Sequence, residues 1–146
     1  MKRFEFSLEK MLDYKDQELR DEKNRLAELR QKLDYLIQTL NSLREEFARY
    51  NSELNEKTRE GVAPQEVSLR KSYLNSLNER IKMQTHQVKF AQARVNDQMT
   101  VVVKVSQDIS TLEKLKERQY EEYLLEESKE LQLLIEEFVA NAALSG

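Results

Sequence analysis

The sequence predicts an all-α fold: two long helices forming an antiparallel coiled-coil hairpin, the second helix longer than the first. Three observations carry this. The only proline, Pro64, and the only glycine before the last residue, Gly61, lie three residues apart in the stretch 59–65. Both are strong helix breakers, and helix-forming sequence surrounds them on either side. Apolar residues recur in alternating threes and fours along both flanks, the repeat of a coiled coil. The composition is rich in Glu, Lys, Leu, Gln and Arg, with 35% charged residues and 39% apolar ones, which suits long helices better than a compact globule. The expectation is a single hairpin over residues 1–146, with a helix over about 4–58, a turn over 59–65 and a helix over about 64–140.

In the first arm, Leu12, Leu19, Leu26, Leu33, Leu40, Phe47 and Leu54 occupy the a positions of the heptad, and all are apolar. The d positions are Leu8, Lys15, Glu22, Leu29, Leu36, Leu43 and Tyr50. Lys15 and Glu22 break this row near the N-terminal end. That leaves two readings open: a frayed end with snorkelling side chains, or a surface unsealed against its own arm and used by an outside partner. Phe4, Phe6 and Met11 fall off the seam there and add apolar surface. Ser7 is a candidate N-cap.

At the turn, Gly61 suits the left-handed residue that closes a helix. Pro64 suits the first turn of the next, where a missing N–H costs nothing.

The second arm places Val67, Leu74, Ile81, Val88, Val95, Val102 and Ile109 at a. Its d row of Arg70, Leu77, Gln84, Ala91, Gln98, Val105 and Leu112 is weaker, and polar residues in such a row can fix register. The segment 100–105 has strand-like propensity, but the heptad runs through it and argues for helix. Antiparallel pairing about the turn makes facing residue numbers add to about 124, so that Leu12 meets Leu112, Leu26 meets Gln98, Leu40 meets Gln84 and Phe4 lies near Tyr120. Residues from about 121 to 140 then have no facing arm, roughly 30 Å of helix. That segment carries an apolar stripe, Tyr123, Leu124, Leu131, Leu134, Ile135 and Phe138, set among glutamates, and a partner accounts for it better than solvent does. The last seven residues are expected to fray.

Little points to chemistry. No cysteine is present, so disulfides and thiolate sites are excluded. The one histidine, His86, falls at the exposed f position. No phosphate loop, nucleophile elbow or metalloprotease motif occurs, and a two-helix structure offers no concave active site. A protein that is not an enzyme is expected, with no cofactor, no metal and no small-molecule substrate. The formal net charge of −3, from 24 basic and 27 acidic residues, gives no general attraction to nucleic acid, and no basic stripe stands out. No signal peptide or membrane-spanning run is visible, so a cytosolic protein is expected.

The chain resembles a known family. Phe4, Phe6, Leu8 and Leu12 look like the N-terminal pattern of the flagellar export protein FliJ family. Gly61-Val62-Ala63 is similar to that family's turn. Glu127-Ser128-Lys129, Glu136-Glu137-Phe138 and Ala142-Ala143 are similar to its acidic C-terminal signature. The resemblance covers nearly the whole chain. It implies a soluble coiled coil of the flagellar type III export apparatus, similar to the stalk subunit of rotary ATPases and peripherally associated with the inner face of the cytoplasmic membrane. The implied partners are the hexameric export ATPase, the cytoplasmic domain of the export gate protein, and export chaperones. The implied ATPase contact is Phe4, Phe6, Met11, Tyr123, Leu131, Leu134, Glu136, Glu137 and Phe138. The implied gate contact is Leu43, Tyr50, Tyr73 and Leu77, of which only Tyr73 lies off the seam. The neighbouring Thr39, Glu46, Arg80 and Gln84 depart from the family pattern. The equivalent stalk of a virulence secretion system, or a generic coiled-coil hairpin such as a holdase arm, remains the alternative.

Overall fold

A computed structural model describes residues 2–145. Two α-helices account for nearly all of them: α1 (Glu9–Glu60) and α2 (Pro64–Ser145). The helices pack against each other as a hairpin, and α2 is the longer. Contacts group the chain into two units, Met1–Asp21 with Val102–Gly146, and Glu22–Val101.

The turn forms as its residue types require. Gly61 adopts φ 89°, a left-handed conformation that a side chain disfavours. Lys57 and Arg59 lie in the last turn of α1 and Glu66 in the first turn of α2, each complementing the partial charge of its helix end. Pro64 opens α2, and the Ala63 carbonyl accepts from the N–H groups of Glu66 (3.0 Å) and Val67 (3.2 Å).

Within the second unit the seam buries Leu26, Leu33, Leu40 and Leu54 of α1 against Leu74, Leu77 and Val95 of α2; Leu77 is wholly enclosed. In the first unit Leu12 packs with Val105, Ile109 and Leu112, flanked by Leu8 and Leu19. The expected register holds at the turn-distal pairs Leu12–Leu112 and Phe4–Tyr120. It also explains two polar ties. Gln98 Nε2 donates to the Glu22 carbonyl (3.0 Å), and Gln84 Nε2 donates to the Leu36 carbonyl (3.0 Å). In an α-helix the carbonyl of residue i points at the amide of i+4. A glutamine level with Leu26 or Leu40 therefore meets the oxygen of Glu22 or Leu36.

Three expectations are corrected. α1 starts at Glu9, not near residue 4; Phe4 and Phe6 precede it on a non-helical segment, and a turn at Ser7–Leu8 leads in through a Glu9 N–H bond to the Phe6 carbonyl (3.1 Å). α2 continues to Ser145 instead of fraying after about 140, because alanine-rich sequence holds helix well. The break at Lys15 and Glu22 is filled from across the seam. Lys15 pairs with Asp108 (3.3 Å) as well as with Glu18 (3.1 Å), and the Glu22 carboxylate takes a hydrogen bond from Gln98. The strand-prone segment is helical, with Thr100 Oγ1 donating to the Asn96 carbonyl (3.2 Å).

Candidate interaction surfaces

The first surface lies around Tyr50 and Tyr73. Their rings pack with centroids 4.6 Å apart, and the Arg70 guanidinium lies 5.4 Å from the Tyr50 ring centre. Tyr73 donates to Glu46 Oε1 at 2.5 Å. That bond to a carboxylate, aided by burial, raises the Tyr73 phenol above its ordinary value. Leu43, Tyr50 and Tyr73 are half-buried, whereas Leu77 has no exposed surface at all. Tyr50 and Tyr73 keep exposed surface, whereas Leu77 keeps none to offer a partner. Two of the positions expected to depart from the family pattern are used internally, Glu46 as the acceptor for Tyr73 and Gln84 as the tie to Leu36.

The second surface begins with a clamp. Phe4 packs edge-on against Tyr120 (centroids 5.1 Å) and against Tyr123 (5.4 Å), and Tyr123 donates through its hydroxyl to the Lys2 carbonyl (2.6 Å). Glu9 and Lys116 pair at 2.8 Å beside it. Burial, then a hydrogen bond to Glu127, holds the Tyr123 phenol above its ordinary value. Phe6 is buried, at 7% exposure, against the expectation that it adds free apolar surface. The heptad pattern could not show this, because Phe6 lies outside the helix. Of the expected N-terminal contact residues, Met11 is half exposed, Phe4 is half-buried in the clamp, and Phe6 is internal.

Beyond the clamp every residue from Leu124 to Ser145 is exposed. Leu131, Leu134, Ile135, Phe138 and Val139 are each more than half exposed, with Phe138 at 75%. Glu136 and Glu137 are exposed beside them. The stripe is not a continuation of the seam. Carried onward, the a positions of α2 become Tyr123, Glu130 and Glu137, while Leu124, Leu131 and Phe138 fall at b, and Leu134 and Ile135 at e and f. At 3.6 residues per turn the stripe is rotated roughly a third of a turn from the seam. It is a surface in its own right, not a slot left by a short first arm.

The third surface is a pair of hollows in the second unit. One, of about 370 Å³, is lined by Leu29, Leu36, Phe90 and Ala91 with Lys32, His86, Gln87 and Arg94. The other, of about 380 Å³, adds Gln31 and Tyr35 and shares Lys32 and Leu36. Phe90 (69% exposed) and Tyr35 (70%) stand at its edges, and His86 is exposed, as its f position suggests.

Among the described residues no cluster of three or more His, Cys, Asp or Glu is arranged to hold a metal ion, and no helix is long and apolar enough to cross a membrane. No curated protein and no solved structure matches the chain significantly. Residues 4–145, nearly the whole chain, match the family model described as flagellar FliJ protein. With two heptad-patterned helices paired as a hairpin over that same span, the chain belongs to the flagellar FliJ protein family and is a coiled-coil protein of flagellar export.

Proposed function

We propose that the chain is a stalk-like, non-enzymatic component that engages the hexameric export ATPase and couples it to the membrane export gate. The observation that carries this reading is the stripe after Tyr123: Leu131, Leu134 and Phe138 are apolar, exposed and uncovered by the chain's own first arm. A contiguous apolar face of this kind on a soluble helix calls for a partner. The ATPase contact is assigned to that stripe with Glu136 and Glu137, and Met11 adds to it from α1. Phe4, Phe6 and Tyr123 hold the N-terminal segment against α2 and position the contact. The gate contact is assigned to Tyr73 and Tyr50 together with the half-buried Leu43, and the enclosed Leu77 belongs to the seam. The family resemblance supports an escort role for export chaperones, and a cytoplasmic site of action at the inner membrane face.

A stop codon after Tyr123 tests the reading, since it removes the stripe and leaves the Phe4–Tyr120–Tyr123 clamp whole. The shortened chain is expected to stay helical by circular dichroism, and to lose co-purification with the cognate ATPase and stimulation of its hydrolysis. Unchanged stimulation by a helical, shortened chain refutes the assignment.

A further inference from the structure

The near-balanced total charge conceals a segregation that the expectation of no basic stripe overlooked. Between Arg80 and Asn96, α2 carries Arg80, Lys82, Lys89 and Arg94 and not one carboxylate. All four cations are exposed. The hollows at Leu29, Leu36 and Phe90 lie along this stretch, with Lys32 and Arg94 at their rim. The stretch from Leu124 to Ser145 is the opposite: five glutamates, one lysine, and an exposed apolar stripe. One surface is a basic rim around an apolar floor. The other is an acidic helix with an apolar face.

We propose that the Leu29–Leu36–Phe90 groove receives the acidic C-terminal helix of a second copy of this chain. Phe138 and Leu134 seat on the apolar floor, and Glu130 and Glu137, which share the a position along one border of that stripe, face Lys32 and Arg94. Helix-in-groove recognition needs apolar anchors spaced three, four and seven residues apart, and Leu131, Leu134, Ile135 and Phe138 have that spacing. Apolar contact supplies affinity, while complementary charge fixes the partner and the direction of docking. The docked stripe is the one assigned to the ATPase, so self-docking and ATPase engagement compete for one helix face; the groove itself serves only self-docking, and sedimentation of the chain alone reads it without the ATPase.

Sedimentation equilibrium of the full-length protein tests it with a charge exchange. Wild type is expected to rise above the 17.4 kDa monomer mass with concentration. The association constant is expected to weaken by about tenfold or more between low and high salt, as rim charges are screened. The groove variant (Lys32→Glu with Arg94→Glu) and the helix variant (Glu130→Lys with Glu137→Lys) each set like charges together and are expected to remain monomeric. All four side chains are exposed, so circular dichroism is expected to show both variants as helical as wild type. Mixing the two variants restores opposite charges at each docking and is expected to restore association. A wild type that stays monomeric up to about 1 mM, where a weak complex would form, overturns the proposal. So does association that either variant retains, or that mixing fails to restore.

Discussion

The polar layer at Gln98 makes the sharpest prediction about the seam. Gln98 is 7% exposed, and its Nε2 donates both to the Glu22 carbonyl and to the Glu22 carboxylate. Replacing it with alanine removes a hydrogen bond to a charged group, about 1.5–3 kcal/mol. It also removes one buried methylene, at up to ~0.8 kcal/mol. The Glu22 side chain, 18% exposed, keeps only a 3.9 Å pairing with Arg25. The expected loss for Gln98→Ala is therefore roughly 2–4 kcal/mol. Making the whole layer apolar, Glu22→Leu with Gln98→Leu, leaves no buried charge short of a partner and is expected to be neutral or stabilising. Urea unfolding followed at the helical circular dichroism band gives both values, provided the slope with denaturant is unchanged. A Gln98→Ala loss below about 0.5 kcal/mol refutes the reasoning, since it leaves no room for a buried charged bond. A double variant as unstable as the single one also refutes it, because the two side chains would then not be coupled.

Further predictions follow from single sites. Gly61→Ala meets no atom within 4 Å, so only backbone strain opposes it. Its cost is expected at about 1–2 kcal/mol by thermal unfolding, with Gly61→Asn cheaper because asparagine tolerates the left-handed region. Asp108 is held below the ordinary carboxylate range, first by its bond to Lys104 and then by Lys15. Its contribution is present above the unfolded value and lost as pH falls through the lower folded one, so Asp108→Asn is expected to flatten the acid side of a melting-temperature profile. Tyr73 is raised by its bond to Glu46. That contribution is complete below the ordinary phenol value and lost as pH rises through the higher folded one. An ultraviolet titration is expected to show two tyrosines, Tyr73 and Tyr123, ionising late, and Glu46→Gln to move one of them earlier.

The hairpin was legible because its signals are local or periodic. Gly61 and Pro64 act through their own backbones, and each formed the element end that its chemistry favours. The heptad places side chains by counting, and the same counting located the uncovered helix after Tyr123. Counting fails where the chain is not helical. Phe6 reads as surplus apolar surface only if residues 4–8 are helical; on the lead-in segment it turns inward. Lys15 and Glu22 read as faults in one arm, because their partners Asp108 and Gln98 lie more than 70 residues away in sequence. The rotation of the stripe and the separation of basic from acidic stretches lie in the sequence itself. Each vanishes when hydrophobicity is read as one row and charge as one total.

The ties across the seam also set an order of assembly. Their separations along the chain climb from 27 residues at Tyr73–Glu46 through 48 at Gln84–Leu36 and 76 at Gln98–Glu22 to 121 at Tyr123–Lys2. Loop-closure entropy grows only with the logarithm of that separation, so the last tie costs about 1.3 kcal/mol more to close directly than the first. Zipping outward from Gly61 avoids most of that difference, since each closed pair brings the next within a few residues. The Phe4 clamp is thus the last contact to form and the first to open. Amide exchange is expected to be slowest near Leu77 and to quicken toward Tyr123.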